Sequence, residues 1–141
     1  MNKPPLVVVD ADAIVAQVST GDNLHDKAIK IAKNLAQLNA QVFYPATAIT
    51  EAVTYIQRVL GSGAAAYAIT IAFTDPNINV VEINQNTIKH AAQFFSPTTS
   101  RKNTLYDCIV AAVAEEYKAE AIFSFDKFYK KKGFKLASEL K

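Results

Sequence analysis

The feature that most constrains the fold of this chain is a short apolar run that ends in an acid. Residues 6–9 are Leu-Val-Val-Val, three of them β-branched, and Asp10 follows at once. A run without polar alternation is typical of a strand that is buried on both faces of a parallel sheet. Helix-like residues follow at 13–18, so Asp10 stands at the carboxyl end of the strand. Ligands bind at that edge in open α/β sheets, which makes Asp10 the first candidate for chemistry.

The alternation of strand and helix continues along the chain. Apolar side chains at helical spacing predict further helices over residues 24–39, 47–60, 64–73, 84–95 and 104–118, with a short helix or turn at 126–132. Short apolar runs predict strands over residues 41–44, 80–83 and 121–125, and residues 134–136 are a candidate for a last strand. Strands that alternate with helices predict an α/β sandwich around a mainly parallel sheet.

The length and composition fit one domain over residues 1–141. Half of the residues are hydrophobic and a fifth are charged, which is ordinary for a globular protein with a single core. The single cysteine, Cys108, excludes an internal disulfide and a cysteine-based zinc site. The first residues lack a secretory pattern, and no apolar run approaches the ~20 residues of a membrane span. We therefore expect a cytoplasmic protein that does not enter a membrane.

Asp107 is the acid that is hardest to explain by pattern. The residues after it, 108–114, are apolar on every face of a helix, so Asp107 is predicted to be buried. A buried carboxylate is costly unless it is paired, hydrogen-bonded or bound to a cation. Asn103 lies one helical turn earlier and is a polar neighbour. A structural role is equally open, because Asn103 or Thr104 can cap the helix and leave free amides near Asp107.

Three more acids have both a structural and a chemical interpretation. Asp126 ends an apolar strand, with Ser124 on the same side of it, but Asp126 can also cap the short helix that follows. Asp12 is interpreted first as the N-cap of the helix after the first strand. Glu51 lies opposite the apolar stripe of its helix, and the pattern alone favours a solvated position.

The joint position of four acids leads to a hypothesis about a metal. Two acids at strand ends, one in a buried helix and one on a polar helix face can converge at one edge of the sheet. Carboxylates that are packed together repel each other and require a cation. Oxygen ligands suit Mg²⁺ or Mn²⁺, which keep some of their water and hold substrate phosphates. Such a site can activate a water molecule and neutralise charge that develops on a phosphodiester.

Four motifs in this order resemble those of a known family. They are an apolar strand that ends in Asp (Val7-Val8-Val9-Asp10), a Glu early in the helix after the second strand (Glu51), an Asp that opens an alanine-rich helix (Asp107), and a Ser two residues before an Asp with an aromatic after it (Ser124, Asp126 and Phe128). Their order, spacing and total length resemble those of PIN domains, and most of all the small VapC-type toxin ribonucleases of bacteria and archaea.

The resemblance implies a three-layer α/β/α sandwich with four or five strands, and Mg²⁺- or Mn²⁺-dependent cleavage of RNA. The cation would be held by Asp10, Glu51, Asp107 and Asp126. Ser124 would be a supporting hydrogen-bond group. Asp12 stands where the family often has Asn or Ser, and both a place in the site and a helix cap are open for it. The resemblance also implies a homodimer and a cognate antitoxin, as in type II toxin–antitoxin pairs.

Basic residues near two of these acids give modest support to a nucleic-acid substrate. Arg101 and Lys102 precede Asp107 in the sequence. Asp126 is followed by a lysine cluster made of Lys127, Lys130, Lys131 and Lys132. Phosphate backbones need such screening, although a solvated cationic face explains any single lysine as well.

Two other functions are open at this point. Asp10-Ala11-Asp12 also resembles the opening motif of haloacid-dehalogenase-type phosphatases, in which the first Asp is a phosphorylated nucleophile and the second a general acid. That class needs a later lysine and a pair of acids after a downstream strand, whereas only Asp126 stands at the late strand end here. The third interpretation is a non-catalytic binding module whose acids serve as helix caps.

Overall fold

The structure, a computed structural model, describes residues 3–141, and a sheet of four parallel strands lies at its centre. Strands β1 (Leu6–Val9), β2 (Gln41–Pro45), β3 (Asn79–Val81) and β4 (Ala121–Phe123) are ordered β3-β2-β1-β4. The candidate last strand is reduced to one parallel bridge between Leu136 and Ile122. The predicted parallel α/β architecture is confirmed. Met1 and Asn2, which the single-domain expectation includes, lie outside the described residues.

Helices follow or precede each strand, as predicted. In the described part of the chain they are α1 (Ala11–Val18), α2 (His25–Gln37), α3 (Ala46–Arg58), α4 (Gly63–Ala72), α5 (Gln85–Ala91), α6 (Leu105–Glu116) and α7 (Phe128–Lys131), with 3₁₀ turns at Ala92–Phe94 and Ala137–Glu139. Each predicted helix is present, and its ends differ from the prediction by a few residues. None of the helices between residues 3 and 141 has the length and apolar composition that crossing a bilayer requires.

The helices cover both faces of the sheet and produce three layers. Val7 and Val9 point to one face, where they join a core with residues of α1, α2 and α3. Val8 points to the other face, where it joins a core dominated by α6. All three valines are completely buried, as expected for a strand with both faces covered. Asp10 therefore emerges from the centre of the fold.

Strand β4 is shorter than the sequence predicts, and this matters for the site. The prediction extends to Phe125, but β4 ends at Phe123. The next two residues turn towards α1, where the Phe125 N–H donates to the Asp12 carboxylate at 2.9 Å. The Phe125 N–H thus bonds to a side chain instead of to a neighbouring strand. The chain then continues into α7 beside the end of β1.

A group of apolar side chains on α3 and α4 is left exposed. Helix α4 is apolar nearly all round, yet Ala66 is its one buried residue. Tyr67 is 69% exposed, and Ile71 is 49% exposed. Val59, just after α3, is 64% exposed. We call the face formed by Val59, Tyr67 and Ile71 the apolar face.

Candidate active site

Asp10 joins the end of β1 to the start of α1. It is the N-cap residue of α1, and its Oδ1 accepts a hydrogen bond from the Ala11 N–H at 2.7 Å. Its Oδ2 accepts from the Tyr129 hydroxyl at 2.7 Å and lies 3.1 Å from the Ser124 hydroxyl. The interpretation that gave the helix cap to Asp12 is therefore wrong. Helix α1 begins two residues earlier than predicted, so the cap position falls on Asp10.

Asp12 connects α1 to the segment after β4. Its Oδ2 accepts from the Phe125 N–H at 2.9 Å and lies 3.1 Å from the Ser124 hydroxyl. Its Oδ1 is buried and has no hydrogen-bond partner among residues 3–141. A buried polar atom without a hydrogen-bond partner costs about 1–3 kcal/mol of folding free energy. This oxygen is therefore a candidate to bind a cation or to accept a hydrogen bond. Burial is the main cause that raises the pKa of Asp12 to about 6.

Asp107 approaches from α6, on the other face of the sheet, and is 8% exposed. Its Oδ2 accepts from the Thr104 N–H at 3.1 Å, so the structural role at the helix start is present. The same oxygen lies 3.4 Å from the side-chain amide of Asn103, and its Oδ1 lies 3.4 Å from the Tyr129 hydroxyl. Asp107 therefore has a structural bond on one oxygen and faces the other acids with the second.

Asp126 is tied to the cluster by two neutral side chains. Its Oδ2 accepts from the Asn103 amide at 2.8 Å, and its backbone N–H donates to the Ser124 hydroxyl at 3.0 Å. Its Oδ1 accepts from the Phe128 N–H at 2.9 Å, so Asp126 also satisfies the first turn of α7. The structure thus brings together Asp126 and the two residues that the sequence singled out as supporting groups.

Glu51 is half-buried on α3 and faces the other acids. It lines a cavity of about 250 Å³ together with Asp12 and Tyr55. Burial, followed by the negative charges of Asp107 and Asp12, raises the pKa of Glu51 to about 7. The pattern-based preference for a solvated position is wrong for Glu51, because acids of α6 and α1 lie near it. Thr54 and Arg58, on the same polar side of α3, are exposed.

Tyr129 is the residue of this cluster that sequence reasoning missed. Its side chain is completely buried, and its hydroxyl stands between Asp10 and Asp107. The available signal was weak: a tyrosine three residues after a candidate acid, in a short helix where an aromatic residue is normally part of the core. Only the fold brings its hydroxyl to the acids.

Burial and mutual repulsion make this cluster a costly place for negative charge. Burial, then the charges of Asp12 and Asp107, raises the pKa of Asp10 well above its usual range. Burial is likewise the largest cause that raises the pKa of Asp107. A bound cation would lower all of these pKa values, since an opposite charge favours the ionised form.

A divalent cation fits the donor chemistry of the cluster. Among residues 3–141, no group of three or more His, Cys, Asp or Glu side chains is arranged so that it could hold a metal ion as these side chains stand. Neutral donors stand between the carboxylates instead, namely Ser124, Tyr129 and Asn103. The remaining acceptors are carboxylate oxygens, and the buried Oδ1 of Asp12 has no partner in the described chain. Such a donor set suits Mg²⁺ or Mn²⁺.

The predicted basic residues are exposed around the cluster. Arg101 lines a cavity of about 550 Å³ with Asn103. The exposed group also includes Lys102, Lys127, Lys130, Lys131 and Lys132. Lys130 forms an ion pair of 3.1 Å with Glu139, which partly neutralises this group.

A second basic surface lies along α2 and was not predicted. Lys27, Lys30, Lys33 and Lys141 line a groove of about 710 Å³, which we call the α2 groove. The Lys27 ammonium lies 5.8 Å from the centre of the Phe125 ring, and the Phe125 backbone binds Asp12. The α2 groove therefore begins next to the acidic cluster.

The fold is a three-layer sandwich around a parallel sheet. Carboxylates from separate helices and strand ends lie beyond the carboxyl ends of its central strands, and these two features together define a class of α/β protein. The PIN domain family model matches residues 7–135. The chain belongs to the PIN domain family. Comparison with curated protein sequences finds no match.

Solved structures of low sequence identity have the same fold. VapC20 from Mycobacterium tuberculosis, a sarcin–ricin loop cleaving toxin, matches with a TM-score of 0.78 and 18% identity, over 91% of this chain and 95% of that chain. FitAcB from Neisseria gonorrhoeae matches with a TM-score of 0.67 and 14% identity, over 95% and 99%. VapBC2 from Rickettsia felis, bound to a DNA fragment from its promoter, matches with 0.63 and 12%, over 93% and 96%. At such identities the likeness establishes the fold.

Proposed function

We propose that this protein is a metal-dependent endoribonuclease and the toxin of a type II toxin–antitoxin pair. The observation that carries the proposal is the convergence of buried and half-buried acids that follow β1 and β4 or lie on α1, α3 and α6, with an Asp12 oxygen among them that has no partner within residues 3–141. Membership of the PIN family supports a nuclease. The likeness to VapC20, which cleaves the sarcin–ricin loop, supports RNA as the substrate.

In this proposal the carboxylates hold Mg²⁺ or Mn²⁺. The ligands would be Asp10, Glu51, Asp107 and Asp126, with the free oxygen of Asp12 as a further donor. When bound, the cation supplies a Lewis acid that activates water and neutralises charge on the phosphodiester.

Neutral side chains orient these ligands. The Ser124 hydroxyl contacts Asp10 and Asp12, and the Asn103 amide holds Asp107 beside Asp126. Hydrogen bonds from neighbouring side chains to the carboxylates that bind a metal fix the direction in which the ligand oxygens point.

Two basic surfaces can hold the RNA backbone in this proposal. One is the exposed group of Arg101 and the α7 lysines, as the sequence predicts. The other is the α2 groove, whose lysines form no ion pair within residues 3–141. Because both adjoin the acidic cluster, a single strand that enters the cluster can contact lysines on each side.

The apolar face is proposed as a contact surface for protein partners. Exposed aromatic and aliphatic side chains that cluster on a surface mark interaction sites. Several structures with this fold, such as FitAB and VapBC-1 from Haemophilus influenzae, carry the names of two-component complexes. These names support a cognate antitoxin as a partner. A homodimer and a cytoplasmic location are part of the proposal as expectations from the sequence.

The phosphatase alternative loses support. It requires a carboxylate of Asp10 as nucleophile, but both Asp10 oxygens already accept hydrogen bonds, and the residue is 4% exposed. That class also needs a lysine in the site, and no lysine between residues 3 and 141 pairs with Asp10 or Asp12. Family membership points away from it as well.

The proposal is tested with purified protein and with structured and single-stranded RNA. We expect cleavage with Mn²⁺ or Mg²⁺, none with EDTA, and products with 5′-phosphate ends. Asp10→Asn should abolish cleavage. Asp26→Asn is the matched control, because Asp26 is an exposed acid of α2, and it should cleave like the parent. Cleavage that survives EDTA would refute the metal site. An absence of cleavage with every metal would favour the binding module.

A further inference from the structure

We propose that Tyr129 is a positioning residue of the candidate metal centre, whose hydroxyl sets the Asp10 carboxylate, beside that of Asp107, for the cation. The inference rests on the proposed metal-dependent function. It concerns a residue outside the four-acid set, and it has a readout that does not depend on RNA cleavage.

The position of the Tyr129 hydroxyl is fixed by the core. Tyr129 is completely buried between the sheet and α6, in the core that includes Val8 and Ile122. Its ring also packs edge-on against Phe128, with centroids 5.4 Å apart. A ring held on these sides leaves its hydroxyl little freedom, since side chains in close-packed cores occupy single rotamers.

The Tyr129 hydroxyl lies between the acid that follows β1, Asp10, and the acid of α6, Asp107. It donates to Asp10 Oδ2 at 2.7 Å and lies 3.4 Å from Asp107 Oδ1. Within the described chain, Ser124 contacts Asp10 and Asp12, and Asn103 contacts the other pair of acids. Among the described residues, Tyr129 is thus the one side chain whose polar atom lies within hydrogen-bond distance of both the acid after β1 and the acid of α6, and its proton goes to the first.

The oxygens that Tyr129 contacts differ from those held by backbone amides. Asp10 Oδ1 is held by the Ala11 N–H, and Asp107 Oδ2 by the Thr104 N–H. While Asp107 Oδ1 lies beside the hydroxyl at 3.4 Å, the single hydroxyl proton of Tyr129 goes to Asp10 at 2.7 Å, so Tyr129 fixes the second oxygen and the plane of the Asp10 carboxyl group. An O–H···O⁻ bond of this length is among the strong hydrogen bonds. Loss of an outer-shell partner of a metal ligand typically lowers metal affinity about 10- to 100-fold.

The test is the Mn²⁺ dissociation constant, measured without RNA by electron paramagnetic resonance. Tyr129→Phe keeps the ring and removes the hydroxyl, and we expect its Mn²⁺ dissociation constant to rise about 10- to 100-fold. Tyr44→Phe is the matched control. Tyr44 is a half-buried tyrosine of β2 that packs on Phe73, and no hydrogen bond of its hydroxyl is found within residues 3–141. Its loss should leave the constant unchanged.

Each outcome decides the inference. A folded Tyr129→Phe protein that binds Mn²⁺ within twofold of the parent refutes the positioning role and leaves the nuclease proposal intact. A parent that binds Mn²⁺ but cleaves no RNA refutes the nuclease proposal, while the affinity of the variant still tests Tyr129. A parent that binds no Mn²⁺ refutes both.

A second measurement uses the parent chain in case the variant does not fold. Tyrosines are replaced by 3-fluorotyrosine, and the ¹⁹F spectrum is followed during titration with Mg²⁺. We expect the Tyr129 resonance to shift with the midpoint of cation binding, and the Tyr44 resonance to stay in place. A Tyr129 resonance that does not respond to a bound cation refutes the inference.

Discussion

Replacement of Asp12 with Asn measures the cost of the buried acids directly. The change removes one negative charge at almost constant volume. The Asn oxygen can still accept from the Phe125 N–H and the Ser124 hydroxyl, as Oδ2 does now. The Asn nitrogen takes the place of the oxygen that has no partner in residues 3–141. We expect the metal-free variant to be more stable than the parent at pH 8.

The magnitude follows from the pKa of Asp12, which burial raises from 3.8 to about 6. Each pKa unit corresponds to about 1.36 kcal/mol, so the ionised carboxylate costs the folded parent roughly 3 kcal/mol above pH 7. The folded state binds this proton more tightly than the unfolded state, so the parent loses stability as the pH rises from about 4 to about 6. The Asn variant avoids this loss, but its amide N–H groups replace Oδ1 where no acceptor is described, which costs about 1–3 kcal/mol. Its melting temperature at pH 8 should therefore be higher by roughly 5 °C.

The assay is thermal or urea unfolding of both proteins in EDTA at pH 4 and pH 8. The advantage of Asp12→Asn should be large at pH 8 and below about 1 kcal/mol at pH 4, where the folded parent is protonated at this site. Asp26→Asn serves again as the control. Because Asp26 is an exposed acid in the first turn of α2, its loss should lower stability at pH 8, by at most about 1 kcal/mol, and not raise it. An Asn variant that is no more stable at pH 8, or equally favoured at both values, would refute the electrostatic reasoning.

Three further predictions follow from the same cluster. Asp107→Asn should lower RNA cleavage by orders of magnitude, and Mn²⁺ should raise its melting temperature less than that of the parent; an equal response in a thermal-shift assay would remove Asp107 from the site. The raised pKa of Glu51, from 4.5 to about 7, predicts that the metal-free parent loses stability as the pH rises from about 4.5 to about 7. Glu51→Gln should flatten that profile in urea unfolding, whereas an unchanged profile would contradict the assignment. Changing Lys27, Lys30 and Lys33 to Ala should reduce the slope of log K for RNA binding against log salt concentration by ~0.7 for each lost phosphate contact. An unchanged slope would show that the lysines of the α2 groove do not contact RNA.

The sequence was informative where a local pattern has one physical cause. The β-branched run before Asp10 can be buried on both faces only in a covered sheet, and β1 forms there. The cap of α1 was assigned wrongly because it depends on where the strand ends. Helix α1 begins two residues earlier than predicted, so its N-cap is Asp10 and not Asp12. Local sequence patterns define the ends of helices and strands less well than their interiors.

The rest of the site depends on contacts between distant parts of the chain. Periodicity shows that Glu51 faces away from the apolar stripe of α3, but it does not show that acids of other helices lie on that side. The contact between Tyr129 and Asp10 joins residues that are 119 positions apart. The periodicity of a helix or strand gives no information on contacts between residues so far apart in the sequence. Only the family resemblance could therefore place Glu51 in the site. Neither periodicity nor the resemblance indicated Tyr129.

The pairing of β1 with β4 also determines when the acidic cluster can exist during synthesis. Val7 pairs with Ala121, and the Ser124 and Tyr129 hydroxyls contact Asp10 from 114 and 119 residues further along the chain. A ribosome makes Asp10 more than a hundred residues before these partners. The cluster therefore cannot assemble on a nascent chain until Ser124 and Tyr129 have also emerged. A chain that ends before Ser124 and Tyr129 therefore lacks both hydroxyl contacts to Asp10 and cannot form the complete cluster.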